Sequence, residues 1–200
     1  MKKNRLIPIV LLKDGWVVQS KDFSQYQNLG NPVTTVKRLS EWASDEIIYI
    51  DISRGDKYDT RRNDQGYKNR GSFLNIIKDV SDIAFMPITV GGKIRTMKDI
   101  EDRLSSGADK ICLNSIAIND TKFINQASKE FGSQCIVISI DAKKNLDNHL
   151  VYSNGGREIT NMTPDEFARI VEDNGAGEIL INSIDRDGSG SGYDIPLIEK

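Results

Sequence analysis

Six short apolar runs alternate with stretches of helical spacing, and that order constrains this chain more than any other feature. The runs cover residues 6–12, 47–52, 84–90, 110–113, 135–140 and 179–181. Runs this short and this continuous read as strands buried on both faces. Between them, apolar residues recur every three or four positions: Val33, Val36, Leu39 and Trp42-Ala43, then Phe73, Leu74, Ile76, Ile77 and Val80. Helix starts are marked by Asn31-Pro32, by Thr96, and by Thr163-Pro164 with Glu166 three residues on, a capping-box pattern. A helix over 119–131 and the start of a sixth at Pro196 complete the series. Strict strand–helix alternation means a parallel sheet with helices outside it, an α/β fold.

An internal repeat selects among α/β folds. Glu46-Ile-Ile-Tyr-Ile-Asp resembles Glu178-Ile-Leu-Ile-Asn-Ser, and residues 7–13 superpose on 137–143, which sets Leu11 over Asp141. Four βα units repeated once predict a (βα)8 TIM-type barrel. Only about six units are present, so 1–200 reads as one barrel domain lacking its last two units, a fragment of an eightfold ring.

Composition narrows the function. With 27 basic and 29 acidic residues, no large basic face for nucleic acid is expected. No apolar run approaches a membrane span, and the N-terminus lacks a signal cleavage site, so the chain reads as cytoplasmic. Cys112 and Cys135 lie in apolar runs and read as core residues, and His149 reads as a surface histidine. No disulfide, metal site or cofactor is expected from so few dispersed ligands.

In a parallel barrel the C-terminal ends of the strands carry the active site. Here they bear Gly91-Gly92, Asn114, Asp141 and Asp187-Gly188, the last opening the glycine-rich stretch GSGSGYD. Glycine turns at strand ends let backbone N–H groups approach a phosphate, and Asn114 adds an amide donor. Asp141 follows an apolar run, so partial burial would fit it for general acid–base work. At the opposite ends, Arg5, Glu46, Lys110 and Glu178 each stand at or just before an apolar run. Two cations and two anions could close a barrel floor as a ring of ion pairs; plain surface charge is the alternative.

The segments RLIPIVLLKDGWVV, DEIIYIDI, PITVGGKI, GADKICLNSIAI, FGSQCIVISIDAK and GAGEILINSIDRDGSGSGYD resemble the HisF-like cyclase subunits of imidazole glycerol phosphate synthase. The resemblance covers most of residues 5–194. It implies a HisH-like glutaminase docked at the N-terminal face of the barrel, with ammonia passing along the axis to a phosphorylated small-molecule substrate. Arg5, Glu46, Lys110 and Glu178 then match the ammonia gate. Gly91, Gly92, Asn114, Asp187 and Gly188 match phosphate-site positions. Asp141 matches one of two catalytic aspartates, with Asp51 close to that site.

The departures are specific. The other catalytic aspartate belongs at position 11, where this chain has Leu11. A mobile-loop lysine expected at position 19 is Gln19, with Lys21 two residues on. The 53–71 segment is longer and more charged than the family's usual connection, and it could contact a sugar phosphate, a nucleotide or a protein, or be a solvated loop. A gate retained beside a lost acid resembles the family branch in surface-polysaccharide clusters. There the subunit supplies ammonia, with an amidotransferase, for a nucleotide-linked sugar. The alternatives are a histidine-pathway cyclase-lyase forming imidazole glycerol phosphate and AICAR, with an acid such as Asp51 in place of the lost one, and a non-catalytic scaffold that activates the glutaminase.

Overall fold

The computed structural model describes residues 4–61, 63–64, 66–146 and 148–199, and the chain divides into two compact units, Met1–Gln19 with Gln27–Ile111 and Ser20–Tyr26 with Cys112–Lys200. The fold is α/β with mostly parallel strands, consistent with part of a (βα)8 barrel; in neither unit does the sheet close on itself among the described residues.

In the first unit, β1 (Ile9–Lys13) turns at once into β2 (Trp16–Lys21), and β3 (Gln25–Gly30) follows. Asp14 and Gly15 both have positive φ, the backbone of a two-residue hairpin with Lys13 opposite Trp16. The tip of the next turn, residues 20–26, belongs to the second unit. Helix α1 (Pro32–Glu41) starts at Asn31, whose side-chain oxygen accepts from the N–H groups of Val33 and Thr34. Strand β4 (Ile47–Asp51) pairs in parallel with β1, Leu11 opposite Ile50 and Leu12 opposite Asp51.

A short hairpin, β5 (Asn63–Asp64) with β6 (Tyr67–Lys68), lies inside the charged segment. Helix α2 (Phe73–Ser81) buries Phe73, Ile76, Ile77 and Val80, the face predicted from spacing. Strand β7 (Ile88–Gly91) pairs in parallel with β4, and α3 (Met97–Ser105) follows it. Strand β8 (Lys110–Leu113) spans the boundary between the units. Leu12, Ile47, Val80, Ile88 and Ile100 are almost fully buried and make the apolar core under these strands.

In the second unit, α4 (Ser115–Asn119) and α5 (Thr121–Phe131) lead to β9 (Ile136–Asn145). Strand β9 returns as β10 (Asn148–Ser153), with β11 (Glu158–Ile159) beside it, both antiparallel. Helix α6 (Pro164–Asp173) buries Phe167 and Val171, and the Thr163 N–H donates to Glu166 at 2.9 Å, as its capping-box pattern predicts. Strand β12 (Glu178–Ser183) pairs in parallel with β9, and α7 (Ile195–Ile198) follows.

Several expectations need correction. The run at 84–90 is a strand only from Ile88; Ile83 and Ala84 still bond back to the α2 carbonyl of Val80, and Phe85 is 96% exposed. Trp42 caps the C-terminus of α1 and is exposed rather than part of its apolar face. Cys112 is buried as expected, whereas Cys135 is only half-buried, in a turn before β9. His149 is not a surface residue: it is buried on β10 against Asp194.

Thr96 caps α3 as predicted: its hydroxyl accepts from the Asp99 N–H at 3.2 Å, and Asp99 accepts from the Thr96 N–H at 2.9 Å. Thr96→Ala should lower stability by about 1 kcal/mol, read as a shift in the urea unfolding midpoint followed by circular dichroism.

Candidate functional site

At the strand starts of the first unit, one buried carboxylate gathers two cations. Glu46 stands just before β4; its Oε1 pairs with Arg5, and its Oε2 with the Lys110 ammonium at 2.9 Å. The Glu46 side chain is 8% exposed and that of Lys110 is 16%. A buried charge persists only when paired, so the three groups stand or fall together. Glu178, the fourth charge expected at a strand start, opens β12 opposite Val137 in the second unit. Lys110 and Glu178 open their strands and Glu46 directly precedes β4, whereas Arg5 lies upstream of β1, which begins only at Ile9; Arg5, Glu46 and Lys110 meet within one unit.

At the strand ends of the first unit, Leu11 faces Ile50 across the ladder, an apolar pair. Asp51, one residue on, has a side chain with no exposed surface. Its Oδ1 accepts from the Ser53 N–H at 2.9 Å and the Ser53 hydroxyl at 2.5 Å. Its Oδ2 accepts from the Tyr58 hydroxyl at 2.7 Å and pairs with the Lys93 ammonium at 2.7 Å. Burial, then the adjacent Asp51 charge, pushes the Tyr58 phenol well above its usual range, so it stays a donor. Lys93 also donates to the Gly55 carbonyl at 2.6 Å. The charged 53–71 segment is thus fastened at its start by Ser53, Gly55 and Tyr58.

Farther along that segment, Asn69 is buried and donates to the Asp14 carbonyl at 2.9 Å and the Asp59 carbonyl at 3.2 Å. Gly91 ends β7 opposite Ile50. Gly92 follows at φ 97°, and a Cβ there would lie 2.1 Å from the Asp51 carbonyl oxygen. Only glycine allows that approach and that backbone.

In the second unit, Asp141 is buried amid neutral donors within β9, not at its end as the sequence suggested, because β9 runs on to Asn145 in its hairpin with β10. Its Oδ1 accepts from the Asn182 amide at 2.8 Å and the Ser139 hydroxyl at 3.2 Å. Its Oδ2 accepts from the Asn114 amide at 3.2 Å. Asn114 spends its other amide hydrogen on the Ser139 carbonyl at 3.0 Å. Burial raises the Asp141 carboxyl above the ordinary aspartate range; the three side-chain hydrogen bonds pull it down, and the Asp187 charge adds to the rise. Such an environment suits a group that exchanges protons.

Asp187 and Gly188 hold the turn at 20–24. The Asp187 carboxylate accepts from the Ser20 hydroxyl at 2.6 Å and the Phe23 N–H at 3.0 Å. Gly188 lies so close to Ser20 that a Cβ would stand 2.2 Å from its carbonyl oxygen. Farther along, Asp194 takes the Ser183 hydroxyl at 2.7 Å and lies 3.3 Å from His149 Nε2. Sequence reasoning missed Ser139, Asn182, Tyr58 and Lys93. Asn182 had a signal, because the repeat that sets Leu11 over Asp141 also sets Ile50 over Asn182. Among the described residues, no group of three or more His, Cys, Asp or Glu side chains is placed to hold a metal ion, and no helix is long and apolar enough to cross a membrane.

The histidine biosynthesis protein family matches residues 5–200 of the chain. The imidazole glycerol phosphate synthase subunit HisF of Hydrogenobaculum sp. (strain Y04AAS1) is 42% identical over 200 residues, 100% of this chain and 75% of that protein.

The raised Asp141 carboxyl has a definite effect on stability. Below the unfolded aspartate pKa of about 3.9, Asp141 is protonated in both states and its folded environment costs nothing. As pH rises through the folded pKa, a buried negative charge must be held and that stability is lost. Wild type should therefore lose stability relative to Asp141→Ala as pH rises above the unfolded aspartate value of about 3.9, measured as the pH dependence of the difference in urea unfolding free energy.

Proposed function

Because the chain belongs to the histidine biosynthesis protein family, as a HisF-like cyclase-type subunit of imidazole glycerol phosphate synthase, we propose that it takes ammonia from a glutaminase partner and delivers it to an acceptor other than the histidine-pathway nucleotide. The acceptor we favour is a nucleotide-linked sugar, amidated during surface-polysaccharide synthesis with an amidotransferase as third component. The observation that carries this reading is Leu11 opposite Ile50, where the repeat-equivalent ladder position holds Asp141 opposite Asn182. Leucine neither gives nor takes a proton, and acid–base assistance is typically worth ~10²–10⁴-fold.

In this reading Arg5, Glu46 and Lys110 in the first unit, and Glu178 in the second, are the residues assigned to ammonia entry, and the glutaminase docks on the strand-start face. The pairing of Arg5 and Lys110 on Glu46 supports it, since a charge cluster held by one buried carboxylate can open by exchanging partners. Asp141 is the remaining acid–base group. Gly91 and Gly92 in the first unit, and Asn114, Asp187 and Gly188 in the second, are the positions we assign to phosphate binding. Asp51 fits an anchoring role better than a proton-transfer role, because both its oxygens are engaged by Ser53, Tyr58 and Lys93. That geometry weakens the histidine-pathway alternative, which needs a replacement acid.

The test is a glutaminase-coupled cyclisation assay with the cognate glutaminase and the aminoaldose–ribonucleotide of the histidine pathway. Wild type should support glutamine hydrolysis while forming imidazole glycerol phosphate at least about 10²-fold more slowly than Leu11→Asp. Cyclisation by wild type at the rate of the Leu11→Asp variant would overturn the proposal and restore the histidine-pathway reading. Glutamine hydrolysis with no free or transferred ammonia emerging through the subunit would leave only the scaffold role.

A further inference from the structure

Asp141 has two unequal oxygens. Oδ1 is held by two donors, Asn182 Nδ2 at 2.8 Å and Ser139 Oγ at 3.2 Å, while Oδ2 meets one, Asn114 Nδ2 at 3.2 Å. Asn182 also donates to the Ser139 hydroxyl oxygen at 3.0 Å. Asn182, Ser139 and Oδ1 therefore form a closed triangle in which the hydroxyl, accepting from the amide, must aim its own hydrogen at the carboxylate. A hydroxyl fixed in this way is a stronger and better directed donor than a free rotor. A carboxylate oxygen carrying two donors is a poor base, because a new proton must displace one of them. The oxygen with one donor keeps a lone pair for a proton in transit.

The ladder supports the assignment independently. Asn182 is directly opposite Asp141 in the parallel β9–β12 pairing, and Ile50 is directly opposite Leu11 in the β1–β4 pairing. The internal repeat makes these equivalent positions. Where the acid is present its neighbour is an amide; where the acid is replaced by leucine the neighbour is isoleucine.

We propose that Asn182 is a positioning residue for Asp141: with Ser139 it anchors Oδ1 and leaves Oδ2, beside Asn114, as the oxygen that exchanges protons. The inference rests on Asp141 acting as the acid–base group. The other titratable groups facing Asp141 are the Cys112 thiol on β8, pushed up to about 12 by burial, and Asp187 beyond β12, whose charge opposes ionisation. Tyr152 on β10 is its antiparallel ladder partner.

The experiment titrates the Asp141 side-chain carboxyl by carbon-13 NMR in the full chain, for wild type, Asn182→Ala, Asn182→Thr and Ser139→Ala. Loss of the amide should raise the apparent Asp141 pKa by about one unit. Asn182→Thr, which keeps a donor of shorter reach, should fall between wild type and Asn182→Ala, and Ser139→Ala should add little on top of Asn182→Ala because the triangle is already broken. An Asp141 pKa unchanged in folded Asn182→Ala or Asn182→Thr would overturn the proposal. A parallel arm measures ammonia-dependent turnover of the glutaminase complex with Asp141→Asn. Unchanged turnover there would remove Asp141 from the chemistry, and the titration alone would then report an anchoring triangle with no reaction to serve.

Discussion

Parallel strand register is the constraint on which the rest depends. A one-residue slip of a strand turns every side chain to the other face. The pairing that sets Leu11 against Ile50 and Asp141 against Asn182 therefore decides which residues share the strand ends at all. It also explains Gly92, the glycine directly after β7. Strands β4 and β7 end at nearly the same level, and the chain leaving β7 must cross the Asp51 carbonyl at a distance no Cβ would permit. Gly92 is required by packing before any ligand is considered.

The same register separates two kinds of polar group. Charges at strand starts gather on one buried carboxylate, Glu46, in an arrangement of formal ions. Within β9 of the second unit, Asp141 is surrounded by amides and a hydroxyl with no cation among its side-chain partners. Neutral donors stabilise a carboxylate less than an ion pair does, so burial still wins and its proton affinity rises. Asp51 is partnered differently, as a buried carboxylate with an ammonium at 2.7 Å.

Much of this was legible beforehand. The alternation of runs and the caps at Asn31, Thr96 and Thr163 follow from local rules that tertiary context did not override; Asp141 reads as the end of its strand but lies within β9, which continues to Asn145 because β10 pairs back along it. The β1–β2 hairpin was also written in the sequence, since Asp14-Gly15 is a strong two-residue turn signal, yet it reads first as the polar boundary of an apolar run. Burial of His149 was not legible, because its partner Asp194 is 45 positions away and brought in only by the β9–β12 pairing. Nor was the hold on Asp51: Tyr58 and Lys93 approach it from two different connections, and no spacing rule links them.

The charged 53–71 segment closes on itself at its base. The Tyr58 N–H bonds to the Gly71 carbonyl at 3.1 Å, and Asn69 ties the far limb to the Asp14 turn. Residues between those fastenings can lengthen or change charge at the small entropic cost of a longer closed loop, while the strand ends beneath keep their geometry. The segment is thus a graft point: a place where a lineage can exchange one surface for another and alter what the subunit recognises, leaving the barrel strands that carry Glu46 and Asp51 untouched.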